Sequence, residues 1–187
     1  KSIAGFVLMP TDPEVIDCAE QGINYAIDIL NGFNFNCMLQ PDDITFVSGQ
    51  TDYQVSSWFK SPQHFEVWNS ANERVFRLGY KPWGIFAKEH VNLTSQGDPS
   101  FYSAMNTHAT GIVTLNSAPS TSWIQMYPSG QLVYFRYMQY PTSAGQALDV
   151  PSWAVPFVLE QAQGFTADRY ATQKADAAYR RAEQHKH

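Results

Sequence analysis

The sequence predicts an α+β protein in which terminal α-helices pack together around an inserted antiparallel β-sheet or small β-sandwich. Three observations predict it. Apolar residues recur at three and four between Val15 and Leu30, the period falls to two from Phe35 to Tyr140, and helical composition returns after Pro151. These changes set the expected division: residues 1–40 and 148–187 form a helical domain and 41–147 an inserted β-rich domain.

The first helix has a start, a stripe and a stop. Thr11 and Glu14 have capping-box spacing, with Asp12 and Pro13 suited to a first turn. Val15, Ile16, Ala19, Ile23, Ala26, Ile27 and Leu30 make the buried stripe, with Asp17, Glu20, Asn24 and Asp28 opposite, and Asn31-Gly32 ends the helix.

The middle of the chain reads as short strands rich in β-branched and aromatic residues, bounded by Gly, Pro, Ser and Asn. "ITFVSG" and "DYQVSSW" form a hairpin around a Gly-containing turn, and Asp42-Asp43 is the turn that enters it. "HFEVWN", "ERVFRLGY", "PSFYSAM", "GIVTLN", "SWIQMYP" and "QLVYFRYMQYP" continue the strands, and "KPWGIFAKEHV" interrupts them as a short helical turn. Two terminal helices follow, from about Ser152 to Tyr170 and from about Thr172 onward, with Pro156 in a first turn.

The charge of −5 is unevenly spread. No Lys or Arg stands between Lys1 and Lys60, whereas Asp12, Glu14, Asp17, Glu20, Asp28, Asp42, Asp43 and Asp52 do. Arg169, Lys174, Arg180, Arg181 and Lys186 gather at the other end. A cation-free front disfavours a grip on nucleic acid there, because phosphate binding rests on Lys and Arg. No apolar run approaches the roughly 20 residues of a membrane helix. The opening "KSIAGFVLMP" is too short for a secretory signal, which predicts a non-secreted protein. Cys18 and Cys37 read as two reduced thiols near the core.

Catalytic chemistry has little support. His64, His90 and His108 lack zinc-site spacing, there is no nucleophile elbow and no phosphate-cradling glycine loop, and no cofactor is expected. Glu66, Glu73 and Glu89 would serve a wall hydrolase only if two of them converged in a cleft. Trp58, Trp68, Trp83, Trp123 and Trp153 would serve a carbohydrate-binding module if exposed, with core or interface packing as their ordinary role.

In order along the chain, "AIDILNGF", "ITFVSGQTDYQV", "GDPSFYSAM", "GIVTLNSAPS", "LVYFRYMQYP" and "LDVPSWAVPFVLEQAQG" form a series that resembles the head-to-tail adaptor proteins of tailed bacteriophages, the group that includes tail tubular A and the tail accessory factors. The resemblance runs from about Asp12 to Glu183 and leans on "SGQTDY", "GDPSFY" and Val150-Pro151; the Tyr170 to Thr172 junction is tighter than that family's loop. It implies a non-enzymatic virion protein of the phage neck, assembled in the host cytoplasm. Such adaptors form a homo-oligomeric ring, typically of twelve copies, that docks beneath the portal protein, passes double-stranded DNA without sequence-specific binding and meets the tail nozzle or tail tube, with no membrane partner. In that setting Asp17, Glu20 and Asp28, or Asp42 and Asp43, would make the DNA channel electronegative. Arg169, Tyr170, Lys174, Tyr179, Arg180 and Arg181 would dock the portal, the ordinary alternative being a solvated helix end.

Overall fold

The computed structural model describes residues 13–90, 93, 95–106, 110–142 and 147–184, with the side chains of Glu14 and of residues 170–184 excluded. The chain divides into two compact units, residues 1–33 with 138–187 and residues 34–137. Helices and a large mixed sheet make it an α+β protein.

The helical unit is built on α1 (Pro13–Asn31) and α4 (Val155–Gln184). On α1 the stripe from Val15 through Cys18, Ala26 and Ile27 to Leu30 is buried. The helix ends where Gly32 N–H donates to the carbonyls of Asp28 and Ile29. Thr11 and Asp12, half of the expected cap, lie outside the described residues. Gly22 lies in the middle of α1, where glycine costs helix stability, because α4 passes directly over it. A Cβ on Gly22 would fall 2.6 Å from the Ala162 Cα and 2.9 Å from the Gln161 carbonyl oxygen. Tyr25 and Phe165 add a ring contact with centroids 5.2 Å apart. The Asn31 side chain ties down the strand exit, donating to the Met138 carbonyl at 3.1 Å and accepting from Met138 N–H at 2.7 Å.

The expected break between two C-terminal helices is absent. After a 3-10 turn at Ser152–Ala154, α4 runs uninterrupted for 30 residues, through Gly164 and the Tyr170–Thr172 junction. Pro156 stands in the first turn, where its missing N–H has no helical partner to lose. An exposed glycine costs only about 1 kcal/mol in a helix, too little to stop one anchored along its buried face by Val158, Ala162 and Thr166.

The second unit corrects the expected small antiparallel sheet. Its strands are β1 (Leu39–Thr45), β2 (Asp52–Val55), β3 (Phe59–Trp68), β4 (Arg74–Tyr80), β5 (Gln96–Gly97), β6 (Phe101–Asn106), β7 (Gly111–Leu115), β8 (Ala118–Pro119) and β9 (Ser129–Arg136). Seven of them form one mixed, nearly closed barrel in the order β1-β9-β3-β4-β6-β7-β2, and β5 pairs with β8 in a separate ribbon. Most pairs are antiparallel. The exception within the barrel is β4 with β6, which are parallel because the connection through α2 (Trp83–Glu89) returns the chain to the same end of the sheet. "SWIQMYP" is also corrected: Thr121–Met126 form the short helix α3, capped by the Ser120 hydroxyl accepting from Trp123 N–H.

The "ITFVSG…DYQV" hairpin is not a hairpin. Strand β1 pairs with β9 and β2 with β7, so the two occupy opposite edges of the strand order, and Asp42 and Asp43 lie within β1 instead of in a turn. Gly49, at φ +79°, serves the connection between them. Side chains close the seam. Asp42 Oδ2 accepts from Ser56 N–H at 2.9 Å, and the Tyr53 hydroxyl accepts from Val47 N–H at 3.2 Å and donates to the Gln50 carbonyl at 3.1 Å.

Aromatic side chains fill the barrel. Phe46 stacks on Phe65 and meets Trp123 and Tyr53 edge-on, while Phe59 packs on Tyr134. Gly130 makes this possible, since a Cβ there would lie 2.6 Å from the Phe65 ring and 2.7 Å from the Glu66 carbonyl oxygen. Burial pushes the Tyr134 hydroxyl up to about 12. Of the two thiols, Cys18 is buried and Cys37 exposed, which corrects the expectation that both lie near the core: Cys37 falls in the 3-10 turn Asn36–Met38, where Met38 takes the buried position.

Candidate functional site

The outer face of the barrel carries a row of polar residues in register. Asp43 on β1 faces Gln131 on β9, Gln131 faces Glu66 on β3, and Glu66 faces Arg77 on β4. Gln131 donates to Asp43 at 2.8 Å. Glu66 alternates with the inward-facing Phe65 and Val67, and it is nonetheless only 7% exposed. Two arginines cover it. Arg74 Nη1 donates to Glu66 Oε1 at 2.9 Å, and Arg77 reaches the same oxygen from Nη2 at 2.8 Å and Nε at 3.2 Å.

A bulge places both arginines on this face. Residues three apart on a regular strand point to opposite faces. Here Val67 pairs with Phe76 and Trp68 with Arg74, so Val75 has no counterpart on β3 and the alternation switches at that point. Arg74 thereby joins Arg77 on the outside. The adjoining turn is fixed by Asn69, whose Oδ1 accepts from the N–H groups of Ala71 and Glu73, and by Asn72 in the left-handed region at φ 58°. A surface cleft of about 400 Å³ lies beside the row, lined by Asp43, Trp68, Asn72, Ser129, Gly130 and Gln131.

The electrostatics of the cluster are those of a held carboxylate. Burial alone would raise the Glu66 pKa; the hydrogen bonds from Arg77 and Arg74, with the charge of Arg74, outweigh it and hold the carboxyl below its usual range. His64 Nε2 lies 3.3 Å from the same Glu66 oxygen. Burial, then repulsion by Arg77 and Arg74, lower the His64 pKa against the pull of Glu66, so the imidazole is neutral at pH 7. Two positive groups thus surround one negative group, and each guanidinium, about half exposed, retains N–H donors facing outward.

The residues singled out from sequence are not gathered in one place. Asp17, Glu20 and Asp28 are exposed on one face of α1, within about 80° of one another at 100° per residue. Asp28 accepts from the Tyr140 hydroxyl, which raises the Tyr140 pKa, whereas Asp17 and Glu20 have no hydrogen bond or ion pair to a described residue. Asp42 and Asp43 belong to the other unit and point to opposite faces of β1, one toward the seam and one onto the polar row. Arg169 is exposed on α4, and the side chains of Tyr170, Lys174, Tyr179, Arg180 and Arg181 lie outside the described residues.

The expected hydrolase carboxylates are each engaged elsewhere. Glu66 holds the arginines, Glu73 accepts from Asn69, and Glu89 pairs with Lys81. Trp123 is buried, Trp68 half-buried, and Trp58, Trp83 and Trp153 are exposed. Among the described residues no group of three His, Cys, Asp or Glu side chains could hold a metal ion, and His108 lies outside them. Among the described residues no helix is long and apolar enough to cross a membrane. No protein-family model matches the chain, and a search of curated proteins finds no match.

Proposed function

We propose that this chain is a structural virion protein, a head-to-tail adaptor that forms a ring below the portal, extends the DNA channel and docks the tail or nozzle. The observation that carries the reading is the length of α4. At 1.5 Å per residue, the 30 residues of α4 reach about 45 Å and the 19 of α1 about 28 Å. At least eleven residues of α4, about 16 Å, therefore extend beyond any possible overlap with α1. Such an overhang is suited to lie in a groove on another protein. Its sequence, with Lys174, Tyr179, Arg180 and Arg181, suits an acidic groove on the portal.

The charge distribution supports a DNA passage. The −5 net charge and the absence of Lys and Arg between Lys1 and Lys60 would repel a passing duplex instead of retaining it. The engaged state of Glu66, Glu73 and Glu89 favours the adaptor over a hydrolase.

The test is the copy number in purified phage particles relative to the portal protein. About one copy per portal subunit is expected. Absence from particles, with the protein free in the lysate, would refute the reading and favour a carbohydrate-binding protein. Truncation before Thr172 should abolish portal binding and leave the barrel folded; a truncated chain that still bound would move the contact off the C-terminal end of α4.

A further inference from the structure

We propose that Arg74 and Arg77 form a docking site for Asp17 and Glu20 on α1 of a neighbouring copy of this chain. The inference rests on the ring assembly proposed above and names the contact that would build it. The site is fixed before anything binds. Glu66 Oε1 holds Arg74 Nη1 at 2.9 Å and Arg77 Nη2 at 2.8 Å, so the two guanidiniums are less than 6 Å apart at those nitrogens. Holding them there removes most of the side-chain entropy that a contact through two free arginines would cost. Because the Glu66 carboxylate cancels only one of the two charges and His64 is neutral, the cluster remains net positive. Its outward N–H groups match carboxylate geometry.

The partner surface is on the same chain. Asp17 and Glu20 are three residues apart on α1, which places their Cβ atoms about 5–6 Å from each other. That spacing matches the two guanidiniums. Both carboxylates are exposed and have no partner among the described residues, and α1 carries no basic residue. Ile16, 38% exposed beside them, offers an apolar contact at the rim. A barrel patch on one copy that meets a helix patch on the next is a heterologous contact, the kind that closes into a ring. This assignment commits Asp17 and Glu20 to the subunit interface instead of the channel wall.

The test uses two charge-reversed full-length chains, Arg74→Glu/Arg77→Glu and Asp17→Lys/Glu20→Lys, compared with the natural sequence by sedimentation velocity at low and high salt. Each reversed chain alone sets like charge against like charge, so its self-association should weaken at least about tenfold, with the difference shrinking at high salt. An equimolar mixture should associate again, because copies can then alternate around the ring. Since reversing both arginines strips Glu66 of its partners, a second measurement leaves Arg77 on Glu66: in a Cys37→Ser background, Glu20→Cys chains mixed with Arg74→Cys chains should form a disulfide-linked pair. A mixture no more associated than its components, or an Asp17→Lys/Glu20→Lys chain that associates like the natural sequence, overturns the contact. Portal-level copy number in particles together with an inert mixture would retain the adaptor reading and reject this interface. An associating mixture of a chain absent from particles would do the reverse.

Discussion

Replacing Gly22 by Ala and, separately, Gly164 by Ala should shift stability in opposite directions. The two variants are isomers with the same composition, so their difference isolates what surrounds each site. Gly164 has nothing within 4 Å of where its Cβ would stand, and the change should stabilise by up to about 1 kcal/mol through helix propensity. Gly22 gains the same propensity but places a methyl 2.6 Å from Ala162 Cα, 2.9 Å from Gln161 O and 3.0 Å from Ala162 N. Ordinary carbon–carbon contact is about 3.5–4.0 Å, so the helices must part by roughly 1 Å. All three obstructing atoms are backbone, and no rotamer change relieves them. Overpacking of this kind costs about 1–3 kcal/mol, which leaves Gly22→Ala about 1–3 kcal/mol less stable than Gly164→Ala. Denaturant titration followed by far-ultraviolet circular dichroism measures the difference, because both substitutions sit in helices. Equal, stabilising shifts for the two variants would refute the close approach of α4 to α1.

Three further outcomes follow from the barrel. Gly130→Ala should destabilise it by about 1–3 kcal/mol, since the new Cβ meets Phe65, Phe46 and the Glu66 carbonyl within 2.9 Å; unchanged tryptophan-monitored unfolding would contradict this packing. Asp42→Ala removes the acceptor of Ser56 N–H and should cost about 1.5–3 kcal/mol, with faster amide exchange at Ser56 as the local signature; unaltered exchange would show that the seam does not depend on it. Acid should weaken the barrel in two stages. Because the His64 pKa is lowered, the unfolded chain binds the extra proton first, so stability falls as pH drops through about 6.5. Glu66, also lowered, contributes stability above its unfolded value that is lost as pH falls through its folded one. His64→Gln should flatten the urea-midpoint profile between about pH 7 and 5, and an unchanged slope there would count against the burial of His64 beside the arginines.

The first helix was legible because its signal is local. A stripe at three and four, an acidic opposite face and an Asn-Gly stop all lie within one segment. Strand composition was legible in the same way. Pairing was not, since it depends on residues far along the chain: β1 finds its partner at Ser129–Phe135 and β2 at Gly111–Thr114, so a strand, a Gly-containing turn and a second strand imitate a hairpin without being one. The short run around Trp123 carries too few residues to separate a period of two from 3.6, and the Ser120 cap decided it. In α4 the local cues misled the other way. The Tyr170–Thr172 junction read as a break between two helices, yet an interruption there would cost more than continuing the helix.

The arginine cluster was hidden by a single residue. Histidine and glutamate at 64 and 66 share a strand face by spacing alone, but arginines at 74 and 77 would be divided between core and solvent on a regular strand. The bulge at Val75 reverses that, and it is visible only in the pairing of β3 with β4. The consequence reaches beyond geometry. Directed inward, Arg74 would place a charge against the aromatic core; directed outward, it shares one buried carboxylate with Arg77 and leaves the barrel with an ordered positive patch in a chain that is negative overall. A carboxylate buried on the outside of a sheet contributes little net stability once its own desolvation is counted. Its physical effect is to fix where two guanidiniums stand.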